Sequence, residues 1–160
     1  MKALRLLDAG TLTATMATAR SSARGRSNFN LHPTLADPVQ RFLNVLQPGS
    51  YVRPHRHEEF RWELFLLLEG AAVAVVFDEA GNVTEHVELR RDAARAVEVP
   101  GGVWHTLFAL APDTVLFEVK PGPYRPLTDK DFAAWAPIER SPESLSLLAE
   151  WERLVGRRSA

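Results

Sequence analysis

"RPHRHEEFRWELFLLLEG", Arg53 to Gly70, sets two histidines one residue apart, then a carboxylate, then an apolar run closing on glycine. On an extended chain, residues i and i+2 project to the same side. His55 and His57 would then stand about 6.6 Å apart along the backbone, at roughly 3.3 Å per residue. That placement suits two imidazoles closing on one ion at metal–nitrogen distances of about 2.0–2.1 Å. The other reading of the same stretch is a surface turn leading into a buried strand. Glu63 stands at the head of "WELFLLLEG", and a third histidine, His105, follows a Pro-Gly-Gly turn where another apolar run begins.

Working outward, the chain from Val39 to Val119 is a series of short runs rich in Val, Leu and Phe, separated by turn residues such as "QPGS", "DEAGN" and "APD". Such spacing predicts an all-β sandwich or barrel. No long helical pattern interrupts it, which argues against an α/β fold. Leu64 to Leu68 is apolar at every position, as expected of a strand covered on both faces.

Residues 11–23 are expected to form a short helix, and "RGRSNFNLHPTLADP" to be an irregular lead-in. After "KPGPYRP" the pattern turns helical. Ser141 is a suitable N-cap and Pro142 a suitable first helical residue, with Leu145, Leu148, Trp151 (or Glu152) and Val155 as one apolar face. The expected organisation is an N-terminal extension (1–38), a barrel core (39–122) and a C-terminal helical extension (123–160).

The chain has 160 residues, 46% hydrophobic and 24% charged, the composition of an ordinary globular protein with one sizeable core. A net charge of −1 gives no basic field for nucleic acid or an anionic membrane. With no cysteine, His, Asp and Glu are the strong metal-ligating side chains. Arg5 and Asp8 break the apolar stretch near the N-terminus, and no segment has the roughly 18 apolar residues of a membrane span. A cytoplasmic protein is expected.

These residues resemble the cupin superfamily, whose first motif reads G-x5-H-x-H-x(3,4)-E-x6-G. Gly49, His55, His57, Glu63 and Gly70 fit it with one departure: five residues, rather than three or four, separate His57 from Glu63. Glu58 and Glu59 are alternatives, but they leave no x6-G spacing. The second motif, G-x5-P-x-G-x2-H-x3-N, finds Pro100, Gly102 and His105, with Ala94 and Ala109 in place of its first glycine and last asparagine. Beyond the motifs, "RSNFNLHP", "DPVQRFLN", "LFEVKPGPY" and "DKDFAAWAP" are similar to the WbuC family of cupin-fold metalloproteins, over residues 24–139. The resemblance implies a double-stranded β-helix (jelly-roll) barrel and one divalent metal ion (Zn, Fe, Mn or Ni) held by His55, His57, Glu63 and His105. It also implies an association with bacterial surface-polysaccharide gene sets.

Along "TVLFEVK", Glu118 and Lys120 share one strand face and Val115, Phe117 and Val119 the other. If the polar face turns inward, the two are candidate catalytic groups beside a metal; otherwise they form a surface ion pair. His32 is expected to bond a backbone group in a loop, with a pocket role as the alternative. His86 is expected to face solvent, and Tyr124 to pin a loop or reach across a barrel mouth. Arg41, Arg53, Arg56 and Arg61 are expected to form a charged rim, with binding of an anionic or sugar-nucleotide ligand as the alternative.

The leading expectation for function is metal-assisted, isomerase- or epimerase-like chemistry on a small polar, anionic or sugar-like molecule. An Fe(II) dioxygenase and a non-catalytic sensor or carrier are the alternatives. The apolar exterior and the family habit point to a homodimer.

Overall fold

The computed structural model describes residues 4–128 and 131–158, so Asp129 and Lys130 of the "DKDFAAWAP" segment, Met1 to Ala3, Ser159 and Ala160 lie outside it. Among the described residues the order is α1 (Ala9–Ser21), β1 (Arg26–Asn30), β2 (Val39–Leu46), β3 (Glu63–Glu69), β4 (Ala72–Phe77), β5 (Val83–Leu89), β6 (Ala96–Val99), β7 (Trp104–Ala109), β8 (Thr114–Pro121) and α2 (Pro142–Arg158). One antiparallel sheet runs β1-β2-β8-β3-β6 and the other β5-β4-β7. His55 extends the second sheet, pairing with His105 of β7 on one side and Phe132 on the other. Two facing sheets interleaved in this order form the double-stranded β-helix, the jelly-roll barrel of the cupin fold.

Alternation along each strand assigns the core. Leu46, Phe65, Leu67, Ala74, Leu107 and Leu116 pack together between the sheets. The opposite faces are also apolar, because a helix covers each of them. Outside the five-stranded sheet, Ala19 of α1 packs with Leu43, Val45 and Val115, and Leu12 and Met16 of the same helix lie against that cluster. Outside the other sheet, Leu148, Trp151 and Val155 of α2 pack on Val73, Val75, Phe77 and Phe108. This two-sided cover explains the unbroken apolar strands.

Both helices are set by local capping. The Asp8 side chain accepts the Thr11 amide at 2.8 Å, starting α1 two residues before the expected boundary. The Ser141 hydroxyl accepts the Ser144 amide at 3.2 Å, with Pro142 as the first residue of α2.

Three expectations need correction. Residues 26–30, read as irregular, form β1 and pair with β2 in antiparallel register from Arg26↔Leu46 to Asn30↔Phe42. As an edge strand with little burial, β1 lacks the apolar alternation that reveals strands. Leu145 is 56% exposed; the fully buried Ser144 takes its place on the inner stripe with Leu148, Trp151 and Val155. His86 is half-buried rather than solvent-facing, because it stands opposite Val75 on the face that the C-terminal elements cover.

Two glycines, Gly70 of the first motif and Gly101 between Pro100 and Gly102, have steric roles. Gly70 turns β3 into β4 at φ +80°, and a Cβ there would lie 2.5 Å from the Thr114 hydroxyl. Gly101 lies so close to the Glu58–Glu59 backbone that a Cβ would come within 2.3 Å of the Glu58 carbonyl oxygen.

Leu148→Ala is expected to cost about 2–5 kcal/mol by opening a cavity under α2. Leu145→Ala should change stability by no more than about 0.5 kcal/mol. Urea unfolding of the two variants checks the register of the helix.

Candidate metal centre

His55 lies in a segment pinned to β7 by a reciprocal pair of backbone bonds, its N–H donating to the His105 carbonyl (3.1 Å) and the His105 N–H donating back (3.0 Å). The Gly102 N–H donates to the His57 carbonyl at 2.9 Å, which ties the Pro-Gly-Gly turn to the H-x-H segment. Glu63 opens β3 on the facing sheet. Ligand atoms of His55, His57, Glu63 and His105 all lie within 4.8 Å of one another, with Glu63 and His105 buried and the other two half-buried. The extra residue between His57 and Glu63 is absorbed in a turn closed by the Arg61 amide on the Glu58 carbonyl at 2.8 Å. That turn leaves Glu58 and Glu59 exposed and Glu63 on the strand face that points inward.

The ring orientations fit a cation. His55 Nδ1 lies 3.0 Å from the Arg53 carbonyl and His105 Nδ1 2.9 Å from that of Val103. Each Nδ1–H thus donates to main chain and leaves Nε2 available as a ligand, the usual outer-shell arrangement of metal-binding histidine. His105 Nε2 then faces Glu63 Oε2 at 2.8 Å, and His57 Nε2 faces Glu63 Oε1 at 3.0 Å. With its Nδ1–H already donated, the His105 Nε2 lone pair facing a carboxylate at that separation needs a positive charge between them, either a proton or a metal ion. Three imidazoles and one carboxylate are a donor set for Zn, Fe, Mn or Ni, and the four residues could hold one such ion.

Glu118 and Lys120 both face the interior, which settles which side of β8 turns inward: Lys120 Nζ donates to Glu63 Oε1 at 2.7 Å and lies 2.8 Å from Glu118 Oε1. Burial raises the Glu118 carboxyl to about 7 despite the Lys120 ammonium. Burial opposes the charge on Lys120, but Glu118 and Glu63 raise its pKa further. Glu63 is held well below the carboxylate range: burial works against this, and the Lys120 charge with the His105 and His57 hydrogen bonds prevails. Burial, reinforced by His105, lowers the His55 imidazole to about 3. His105 itself moves upward, because bonding to Glu63 outweighs its burial.

A cavity of about 310 Å³ opens on His55, Glu63, His105, Glu118 and Lys120, with Phe65 and Leu107 among its apolar lining. Sequence reasoning missed Asn44, whose amide donates to Glu118 Oε2 at 3.0 Å. The available signal was a polar residue between Leu43 and Val45, in the apolar half of the strand.

The arginines do other work. Arg61 is buried and donates to the Pro121 and Pro123 carbonyls, while Arg53 donates to those of Ala133 and Ala136. Arg56 stacks 4.2 Å from the Trp104 ring and pairs with Glu79. Both Arg53 and Arg61 thereby hold the segments after β8 against the site. His32 bonds the backbone of Arg41, as expected. Tyr124 is half-exposed at a cavity mouth.

The unfolded His55 imidazole titrates near 6.5 and the folded one near 3. Between those values the unfolded chain takes up a proton that the folded chain refuses, so stability contributed by neutral His55 is lost as pH falls through that window. In the metal-free protein this loss is offset in part between about pH 7 and 4.5, where the raised Glu118 carboxyl binds a proton more readily in the folded chain than in the unfolded one. The loss should be shallower in His55→Gln, as read by urea midpoints at several pH values.

No helix among the described residues is long and apolar enough to cross a membrane. No curated protein matches the chain. Among solved structures, the TT1209 protein from Thermus thermophilus is similar at 20% identity, covering 74% of this chain and 97% of its own, with a TM-score of 0.54. A conserved protein of unknown function from Streptococcus pyogenes is similar at 13% identity, covering 78% of this chain and 93% of its own, at TM-score 0.51. A cupin superfamily protein from Desulfitobacterium hafniense matches at 20% identity and TM-score 0.48, over 60% of this chain and 76% of its own. These likenesses concern the fold. A family model described as "Domain of unknown function (DUF6016)" matches residues 7–89, just over half of the sequence, and the chain belongs to that family.

Proposed function

We infer that the chain binds one divalent metal through His55, His57, Glu63 and His105 and uses it on a small polar, sugar-like molecule. Glu118 serves as the acid–base group, and the Lys120 ammonium holds it and keeps Glu63 ionised. The observation that carries this reading is the position of Lys120, which bridges the ligand-type carboxylate Glu63 and the second carboxylate Glu118 inside one cavity. The segments similar to the WbuC family support a sugar-like ligand.

When bound, a divalent ion supplies Lewis-acid polarisation of a ligand oxygen. The protein's own part is to hold and move a proton. With a carboxyl near 7, Glu118 is populated in both forms at neutral pH, so it can take a proton from a ligand carbon or hydroxyl and return one. Asn44 and Lys120 fix its two oxygens, and Lys120 keeps Glu63 ionised. Phe65 and Leu107 reduce the water in the cavity, which strengthens each of these interactions.

Elemental analysis should find one metal ion per chain in the wild type and a large loss in His55→Ala and His105→Ala. Equal metal content in all three removes the site. Glu118→Gln should retain the metal. With a panel of aldoses and ketoses in D₂O, it should slow carbon-bound hydrogen exchange by about 10²–10⁴-fold. Oxygen uptake by the iron-loaded protein on the same panel would favour dioxygenase chemistry instead.

A further inference from the structure

A second cavity, of about 390 Å³, adjoins the metal-side cavity and shares Asn28, Phe42 and Lys120 with it. Its other walls include His32, Gln40 and Tyr124. Two of these side chains are almost wholly buried, His32 at 5% and Gln40 at 1% exposure, and His32 carries a polar atom that the fold leaves unpaired. The Gln40 amide nitrogen donates to the Leu35 and Asp37 carbonyls, which fixes its side chain in the wall. His32 Nδ1 accepts the Arg41 N–H at 3.1 Å, while the Arg41 carbonyl already accepts the Leu31 and His32 amides. Nδ1 also lies 3.0 Å from the Arg41 carbonyl, and in either tautomer Nε2 is buried with no partner among the described residues. Unpaired buried polar atoms are costly and mark places where a ligand group completes the pairing.

We propose that this cavity is a second subsite of the metal-centred site, built for the distal ring of a saccharide longer than one sugar unit. The inference rests on the metal-centred reading for the position of the first unit. Lys120 Nζ donates and His32 Nε2 lacks a partner in either tautomer, and a hydroxyl, which both donates and accepts, suits the two together. Phe42 and Tyr124 add aromatic surface for the C–H face of a ring, and Asn28 and Asn30 carry carboxamides at the rim. A phosphate fits less well, because the charge of Lys120 is already matched by Glu63 and Glu118. Phe42 stands between the two chambers, its ring 5.4 Å from Lys120 Nζ and 6.3 Å from the His32 ring. A ligand spanning both would pass along it.

The test uses the full chain loaded with zinc, titrated by NMR with glucose and N-acetylglucosamine against cellobiose and chitobiose. Two variants probe the subsite. His32→Asn keeps a polar partner for the Arg41 backbone but removes Nε2, and Tyr124→Ala removes a half-exposed ring without disturbing the core. The disaccharides should bind more tightly than their monosaccharide units. Each variant should weaken disaccharide binding by about fivefold and leave monosaccharide Kd within about twofold, with zinc content unchanged. Equal effects on both sizes, unchanged disaccharide binding, or no binding by any of the four sugars would overturn the subsite. A chain that takes up no zinc yet binds cellobiose through His32 and Tyr124 retains the subsite and removes the metal reading alone.

Discussion

A carboxylate withdrawn from water must be met by positive charge or give up its own, and Glu63 is such a group at the centre of this barrel. His57, His105 and Lys120 all turn toward it, from the H-x-H segment, β7 and β8 respectively. The convergence of distant stretches of chain on one point follows from that demand together with the interleaving of the two sheets. Lys120 in turn faces two carboxylates, so that its single charge keeps Glu63 ionised while Glu118, more deeply desolvated than it is compensated, sits near neutrality. Environment alone separates the two acids, and with them the two roles assigned to them.

Much of this was legible in the sequence because it rests on short-range periodicity. The i, i+2 spacing of His55 and His57, the turn before His105 and the alternation along β8 each hold in the folded chain. Glu63 was legible through its distance to Gly70, since the strand between them has a fixed rise per residue and the extra residue falls in the turn before it. What the sequence concealed depends on neighbours far along the chain. The β1 strand exists because β2 offers an edge, and Asn28 and Asn30 there look like loop residues. Leu145 and Ser144 exchange roles through a rotation of the helix that a short apolar pattern cannot resolve. Gln40 and Asn44 read as breaks in an apolar strand, when they are its inward polar positions.

The two helices act alike on opposite sides of the molecule. Each has its apolar stripe against the outer face of one sheet, so the barrel interior need not supply the whole hydrophobic core. Burying each large apolar side chain is worth about 1.5–3 kcal/mol. With stability drawn from these outer layers, the interior near β2, β3 and β8 can tolerate polar and charged groups that would weaken a small barrel left uncovered.

The strand that carries His55 is held to its own sheet by one reciprocal pair of main-chain bonds, and on its other side by the segment after β8, where the Ala133 amide meets the Pro54 carbonyl and the Arg56 amide meets that of Asp131. The segment between β8 and α2 is thus a wall of the cluster formed by the middle of the chain. Whatever occupies the histidine cluster only in this arrangement must, by mass action, also tighten the seating of residues 131–137. Occupancy and docking of that segment are in that sense two readouts of a single equilibrium, coupled through a span of chain only a few residues wide.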